Sequence, residues 1–291
     1  MQNKIANYFS LIKFSHTIFA MPFAFIGFFL GIKKNPVPVP INQLSLLFVL
    51  VVACMVFARS AAMAFNRYLD RQFDALNPRT AVREIPAGVI RPGQALFFTG
   101  VMSLLFIGCA WLINPLCFAL SPIALVVILG YSYTKRFTPL CHLILGLGLS
   151  LAPIGAYLAV VGQFSLLPLL FSLAVICWVS GFDIIYALQD VEFDRAQSLY
   201  SMPSRLGRTN ALFVSRILHV ISFIFIFMAG MVGVFGWLYW LGALVYGGLL
   251  VFQQRLVSPQ DLSRVNLAFM TANGIASVVF AFFVIADLYL H

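Results

Sequence analysis

Two acidic clusters hold most of the side chains that could do chemistry in this sparsely charged chain. One contains Asn66, Asp70 and Asp74, the other Asp183, Tyr186, Asp190, Glu192 and Asp194, and together they include six of the nine carboxylates. Residues four apart share one face of a helix, so each cluster would form a stripe of like charges. Such charges repel unless a multivalent cation lies between them. We therefore predict that the stripes are facing halves of one metal–diphosphate site.

The composition identifies a membrane protein. Hydrophobic residues make up 62% of the chain and charged residues 9%, and the mean hydropathy is +0.99, whereas charged residues are roughly a quarter of an ordinary soluble domain. We predict an all-α, multi-pass bundle of about nine transmembrane helices that forms one domain over residues 1–291. The predicted spans are 8–32, 43–65, 95–113, 115–133, 141–161, 165–188, 211–233, 236–255 and 265–289.

Basic residues alternate along the chain in the way that sets membrane topology. Connections after the second, fourth, sixth and eighth spans contain Lys or Arg, and those after the third, fifth and seventh contain neither. By the positive-inside rule, the N-terminus and both acidic clusters face the cytoplasm from the inner membrane. Lys33 and Lys34 are the exception. The net charge of +9 thus reflects topology, and we expect no nucleic-acid partner.

The acidic clusters end the second and sixth predicted spans, four helices apart. Each precedes a polar connection with Pro and Gly, at about 75–94 and 195–210. This pattern suggests a duplicated four-helix unit with a ninth helix added, which would bring the clusters together around a pseudo-symmetry axis. Both clusters would lie at helix C-terminal ends, where the helix dipole disfavours each carboxylate by some tenths to about 1 kcal/mol. A bound divalent cation would reverse that preference.

Paired carboxylates suit Mg²⁺, which binds one or two carboxylates and completes its octahedral shell with phosphate oxygens and water. Asp70 and Asp74 could hold one ion, and Asp190 and Asp194 another, with a diphosphate between them. Basic residues are available to neutralise the remaining oxygens: Arg71, Arg79, Arg83, Lys135 and Arg136. A site at the cytoplasmic mouth could accept a headgroup from water and a long tail from membrane lipid.

The sequence resembles the UbiA superfamily of membrane aromatic prenyltransferases. The resemblance rests on the Asn66/Asp70/Asp74 spacing, on the Tyr186/Asp190/Asp194 spacing, and on the segments 77–88 and 131–138. It covers nearly the whole chain. Each motif alone is modestly specific, but three in the same order with the same helix count make a strong match.

The resemblance implies a Mg²⁺-dependent transfer of a polyprenyl group from polyprenyl diphosphate to an aromatic ring in quinone biosynthesis. Asn66, Asp70 and Asp74 would form the first diphosphate–Mg²⁺ motif, and Asp190 with Asp194 the second. Lys135 and Arg136 would bind the diphosphate or the acid group of the acceptor. Aromatic ring faces can stabilise an allylic cation, and the candidates for such a lining are Tyr131, Tyr133 and Tyr186.

Arg67 departs from the family pattern, in which Asp commonly follows the first Asn. Together with the segment 13–24, which includes His16, it resembles a 4-hydroxybenzoate polyprenyltransferase-like subgroup linked to menaquinone formation by the futalosine route. The acceptor could be 4-hydroxybenzoate or a dihydroxynaphthoate.

Two other interpretations stay open. The acids could be solvated groups paired with nearby arginines, or the chain could be a secondary transporter, although transporter sites usually lie near the bilayer midplane. We also expect Asp183, deeper in its helix, to be functional or paired, because an uncompensated charge there costs roughly 2.5 kcal/mol or more.

Overall fold

The computed structural model describes residues 8, 10, 11, 20–35 and 39–291, with only the backbone at Thr271, and these residues form helices without strands. From Met21 onward the α-helices are α1 (Met21–Lys34), α2 (Ile41–Leu69), α3 (Arg71–Leu76), α4 (Pro92–Ile113), α5 (Pro115–Thr134), α6 (Cys141–Val161), α7 (Leu166–Ala187), α8 (Val191–Ala196), α9 (Met202–Gly233), α10 (Trp237–Arg255) and α11 (Asn273–Leu290). A 3₁₀ turn (Leu188–Asp190) precedes α8, and a π-helical turn (Leu267–Ala272) precedes α11.

The predicted all-α, multi-pass architecture is confirmed, because each predicted span overlaps a helix. In the part of the chain that is described, seven helical segments are long and apolar enough to cross a membrane. Helix α10 is not among them, since its tryptophans, tyrosines and glutamines lower its hydropathy. The first predicted span is described only in part, and His16 lies outside the described residues.

Helix α7 is the central element of the bundle. Of the most apolar stretch in Leu166–Ala196, 72% is buried within the protein, against 11% for α2 and for α4. Trp178 of α7 lies in the largest buried cluster, and its indole Nε1 donates to Asn273 Oδ1 at 3.0 Å. Functional groups on α7 are therefore carried by the most buried of the seven membrane-length segments.

The acidic segments share one local structure. A long helix ends near Asp70 or Asp190, and a helix of six residues follows. The backbone at Asp70 has φ −87° and ψ 5°, and at Asp190 φ −104° and ψ 8°. Around Asp70 the four-residue spacing persists, because its N–H donates to the Asn66 carbonyl and its carbonyl accepts from the Asp74 N–H. The clusters thus extend across the C-terminal ends of α2 and α7, the helix ends at which the sequence placed them.

The two halves of the bundle pack alike, which favours the predicted duplication. Helix α2 packs mainly against α4, and α7 packs against α9, the corresponding pair in the second half. Asn66 and Tyr186, Asp70 and Asp190, and Asp74 and Asp194 are all separated by the same number of residues.

Helix α9 begins earlier than the sequence suggested. We expected residues 195–210 to be a polar connection, but the helix starts at Met202 and kinks at Gly207, whose φ is +78°. Ser201 explains the early start, because its Oγ accepts from the Ser204 N–H and its own N–H donates to Ser204 Oγ. A reciprocal cap of this kind satisfies two backbone donors at a helix N-terminus.

The buried carboxylate of Asp287 has a structural explanation. It accepts from the backbone N–H groups of Gly236 and Tyr239, at 2.7 and 3.1 Å, and so caps the N-terminus of α10. Negative charge is stabilised at that end of a helix. Asp287 thus needs no functional role to account for its burial.

Candidate active site

The carboxylates of the first cluster are paired with arginines. Arg83 Nη1 lies 2.6 Å from Asp74 Oδ1, and Arg136 Nη2 lies 3.2 Å from Asp70 Oδ1. Asn66 Nδ2 donates to the other Asp70 oxygen at 3.0 Å. The stripe of like charges that the sequence predicted is thereby compensated within the protein.

The second cluster is paired in the same way. Arg79 forms a bidentate ion pair with Asp190, with Nη2 at 2.5 Å from Oδ2 and Nε at 3.1 Å from Oδ1. Its Nη1 donates to the Tyr186 hydroxyl at 3.0 Å. Asp194 is fully buried, with Lys135 Nζ at 2.7 Å and Ser201 Oγ donating at 2.8 Å. Parallel hydrogen bonds between guanidinium and carboxylate fix orientation as well as charge.

Three basic residues join the two clusters. Lys135 and Arg136 are consecutive, yet Lys135 contacts Asp194 of the second cluster while Arg136 contacts Asp70 of the first. Arg79, which follows the first cluster in sequence, binds Asp190. The two acidic segments therefore face one another, as the sequence predicted.

Burial and nearby charges shift the pKa values of two groups at this site, Asp70 and Lys135. Burial and the neighbouring Asp74 carboxylate raise the pKa of Asp70 to about 6, although Arg136 partly offsets them. Burial acts to lower the pKa of Lys135, but the Asp194 carboxylate outweighs it and the net shift is upward. The ammonium group therefore stays charged, while the Asp70 carboxylate would gain from a further cation.

The donor set fits Mg²⁺ shared with a phosphate ligand. Asp74 Oδ2 is buried and has no hydrogen-bond partner, so one carboxylate oxygen is open to a cation. No group of three His, Cys, Asp or Glu side chains suited to a metal occurs within the described ranges. Mg²⁺ needs only one or two carboxylates when substrate oxygens supply the rest.

An apolar cavity of about 540 Å³ leads into the membrane part of the bundle. On α2 its lining includes Met55, Arg59 and Met63, and the same face continues to Asn66 and Asp70. On α5 the lining reaches Tyr131, one turn before Lys135. The lining faces of both helices thus run towards the acidic clusters.

Arg59 is a candidate functional residue that the sequence prediction missed. It lines the apolar cavity, and its buried Nε has no hydrogen-bond partner. Tyr131 also lines the cavity, and the charges of Arg59, Asp70 and Asp183 all act on its hydroxyl. The sequence did contain a signal, because an arginine within an apolar span is costly and shares the helix face of Asn66.

Asp183 is paired with a histidine that the sequence prediction also missed. His142 Nδ1 of α6 lies 2.6 Å from Asp183 Oδ2. Asp183 follows Ile176, which lines the cavity, by two helical turns and so continues the same face of α7. A lone His in an apolar helix start gave no indication of this contact.

The remaining predicted residues do not pair with the aspartates, although Tyr186 accepts from Arg79 and the Tyr133 ring lies beneath the Arg136 guanidinium. Arg71 Nη1 donates to the Tyr68 carbonyl at 2.7 Å, and its guanidinium covers the Tyr68 ring. Tyr186 packs on Phe269 instead of lining the cavity, and Tyr133 is about half exposed. Of the three tyrosines considered, Tyr131 is the one that lines the cavity. Arg67 is buried, and its Nε has no hydrogen-bond partner.

Comparison with known proteins gives consistent matches over most of the chain. The model of the UbiA prenyltransferase family matches residues 20–281. A 4-hydroxybenzoate octaprenyltransferase from Aeromonas salmonicida (strain A449) is 31% identical over 222 residues, which cover 76% of each chain. The apo structure of a UbiA homolog from Aeropyrum pernix K1 has a TM-score of 0.79 at 29% identity, covering 94% of this chain and 97% of that one.

A more distant structure extends the likeness in fold. A UbiA homolog from Archaeoglobus fulgidus bound to DMAPP and Mg²⁺ has a TM-score of 0.72 at 20% identity, covering 98% of this chain and 100% of that one.

Proposed function

The chain belongs to the UbiA prenyltransferase family, and on this premise we propose that it transfers a polyprenyl group from polyprenyl diphosphate to a hydroxy-aromatic acid, with Mg²⁺ as cofactor. One observation carries the proposal: an apolar cavity that contains an unpartnered arginine lies beside two facing pairs of aspartates. The apolar cavity would hold the prenyl tail, the arginine would bind the acid group of the acceptor, and the aspartates would bind the diphosphate through Mg²⁺.

At the diphosphate end, Asp70, Asp74, Asp190 and Asp194 would hold Mg²⁺. When bound, the cation would neutralise the charge that develops on the departing diphosphate. The aspartates now pair with Arg79, Arg83, Lys135 and Arg136, and we expect these basic groups to turn to phosphate oxygens when cations take the carboxylates. Asn66 remains hydrogen-bonded to Asp70 and helps to hold it in place.

At the acceptor end, Arg59 would bind the carboxylate of the aromatic acid, because its Nε is buried and has no hydrogen-bond partner. Asp183 would accept the proton of the ring hydroxyl as the ring carbon attacks the allylic carbon. The C–O bond to diphosphate breaks and its electron pair leaves with the diphosphate. When the ring-carbon proton is lost, Asp183 returns its proton to the same oxygen, so that one proton is released overall.

Tyr131 lines the cavity, and charges from both ends, Asp70 and Arg59, act on it. Its face would stabilise the positive charge on the allylic group while the C–O bond breaks. The alternation of basic and uncharged connections supports a site that would face the cytoplasm from the inner membrane.

The proposed acceptor is an aromatic ring that carries both a carboxylate and a hydroxyl group. The relative named 4-hydroxybenzoate octaprenyltransferase favours 4-hydroxybenzoate. A dihydroxynaphthoate is the second candidate, because Arg67 adds a buried positive charge beside the first cluster and its Nε is unpartnered. Membership of an enzyme family favours prenyl transfer over the transporter alternative.

The direct test is a product screen with the purified protein in lipid. We expect Mg²⁺-dependent formation of a prenylated acid from octaprenyl diphosphate and 4-hydroxybenzoate, measured by mass, with equimolar release of pyrophosphate. Asp190→Asn should lower the rate by about 100-fold or more, because it removes charge from the diphosphate site. The matched control is Asp261→Asn, since Asp261 lies in an exposed turn.

Three outcomes of the screen would contradict the proposal. They are equal activity in the presence of a chelator, full activity of Asp190→Asn, and no product with either aromatic acid. Product with the naphthoate alone would retain the reaction and change the acceptor.

A further inference from the structure

We propose that His142 is a positioning residue that holds the Asp183 carboxylate in the orientation needed to meet the acceptor hydroxyl. This inference rests on the proposed function, because it concerns the same acceptor end of the cavity. His142 lies at the start of α6 and Asp183 near the end of α7, and neither residue contacts the aspartates of the diphosphate site.

Hydrogen bonding fixes the tautomer of His142. The backbone N–H of Met202 donates to His142 Nε2 at 3.3 Å, so Nε2 must carry a lone pair. The ring proton therefore resides on Nδ1, which donates to Asp183 Oδ2 at 2.6 Å. The His142 side chain is 4% exposed, so water does not compete for either nitrogen.

The contact with His142 uses one carboxylate oxygen of Asp183 and leaves the other available to the acceptor. Oδ2 accepts from His142, whereas Oδ1 has no donor among the described residues, and 23% of the Asp183 side chain is exposed. Tyr131, which lines the cavity, lies within electrostatic range of Asp183. A carboxylate held by one oxygen presents the other in a fixed direction, as in other acid–base sites where a buried partner orients the reacting group.

Packing between α6 and α7 reinforces the same geometry. Ser180 Oγ donates to the His142 carbonyl at 3.0 Å, and Gly146, one turn after His142, lets the two helices approach closely. The imidazole is therefore held from its backbone as well as from both ring nitrogens.

A purely structural role for His142 would have a different signature. Met202 follows Ser201, whose hydroxyl donates to Asp194. If His142 served only to hold Met202, its loss would disturb Asp194 and raise the KM for polyprenyl diphosphate. If it orients Asp183, its loss should lower kcat with little change in that KM.

Two amide variants separate the roles. In His142→Asn the amide nitrogen can take the place of Nδ1 and still donate to Asp183, while the contact to Met202 is lost. In His142→Gln the amide oxygen can take the place of Nε2 and still accept from Met202, while Asp183 loses its donor. We expect His142→Gln to lower kcat by about 10- to 100-fold, the range typical of partners that orient a reacting group, and His142→Asn to keep most of the activity.

The matched control is His219→Asn, because His219 is another buried histidine that contacts Gln254 and no carboxylate. We expect the kcat of His219→Asn to stay within about 3-fold of the wild-type kcat. In an Asp183→Asn background, His142→Gln should produce no further loss, since a positioning residue acts only through its partner.

Several results would overturn the assignment of His142. They are the reverse order of the two amide variants, an additive loss in the double variant, or an effect confined to the KM for polyprenyl diphosphate. Failure of the unchanged protein to prenylate any hydroxy-aromatic acid would instead refute the proposed function, and the assignment with it.

Discussion

At the residue scale, each motif aspartate has its own basic partner. The sequence suggested that two acidic stripes require a bound cation, but the protein already compensates them with Arg79, Arg83, Lys135 and Arg136. These pairs are unlike solvated loop pairs, because Asp74 and Asp194 are buried and three of the partners are distant in sequence. Breaking a buried pair costs about 3–5 kcal/mol, so a ligand must supply equivalent charge when it displaces them.

Arg59 is the residue through which acceptor recognition can be tested. We predict that Arg59→Gln raises the KM for the aromatic acid by about 10- to 100-fold. A hydrogen-bonded contact to a charged group is worth about 1.5–3 kcal/mol, and 1.4 kcal/mol corresponds to a factor of ten. Initial rates at varied acid concentration and saturating polyprenyl diphosphate measure the effect.

The control for Arg59→Gln uses the substrate instead of a second variant. The methyl ester of the acid lacks the carboxylate, so the unchanged protein and Arg59→Gln should use it equally poorly. A KM for the acid that does not change, or an equal loss with the ester, would show that Arg59 does not bind the carboxylate.

At the element scale, the distance between α6 and α7 determines whether His142 reaches Asp183. Gly146 allows the close approach, since an added Cβ would lie 2.5 Å from the Ile176 carbonyl oxygen and 2.6 Å from Ser180 Oγ. Gly148, one half-turn further on, has room, because its Cβ would lie 3.5 Å from the nearest side-chain atom.

We predict that Gly146→Ala forces α6 and α7 apart and lowers the free energy of unfolding by about 1–3 kcal/mol, the usual cost of overpacking. Gly148→Ala should be neutral or stabilising by up to about 1 kcal/mol, because alanine favours a helix more than glycine does. Denaturant unfolding in detergent compares the two variants, and prenylation rates show whether kcat falls with Gly146→Ala. Equal stability and equal kcat of both would contradict this account of the helix contact.

The same scale shows which parts of the fold follow from sequence. Spans such as 115–133 and 141–161 were predicted to within a residue of α5 and α6, because prolines, polar residues or glycine border apolar runs of membrane length. The start of α9 was missed, because Met202–Asn210 is too polar to resemble a membrane helix, and the cap at Ser201 is a local feature.

The candidate site was predicted less completely than the helices. The four-residue spacing identified the aspartates of both clusters, since it repeats in two places. It could not identify which basic residue pairs with which aspartate, or the contact between His142 and Asp183, because these depend on how distant helices pack. The roles of Asn66, Arg71 and the other predicted site residues stay predictions.

At the scale of the whole molecule, the cavity lining extends from Arg59 and Tyr131 to residues on the outer surface of the bundle. Several lining residues are exposed on the outside of the bundle, including Ile123 of α5 and Phe164 in the connection before α7, each 62% exposed. A side opening between α5 and α7 would let the end of a long prenyl tail extend into the membrane. The volume inside the bundle then limits only the first isoprene units, which lie between the site and the opening.

Gly155 of α6 tests this route, because it lines the cavity and an added side chain would meet open space. We predict that Gly155→Leu lowers kcat/KM for octaprenyl diphosphate by about 10-fold or more and leaves that for dimethylallyl diphosphate within about 3-fold. The leucine side chain would displace a part of the long tail of similar size, and burying an apolar group of that size contributes roughly 1.5–3 kcal/mol. Gly108→Leu is the matched control, because Gly108 of α4 also has open space for a side chain but does not line the cavity. Competition between the two diphosphates in one reaction, with both products measured by mass, gives the ratio directly. Equal loss with both diphosphates, or the same shift in Gly108→Leu, would mean that the tail leaves the site by another path.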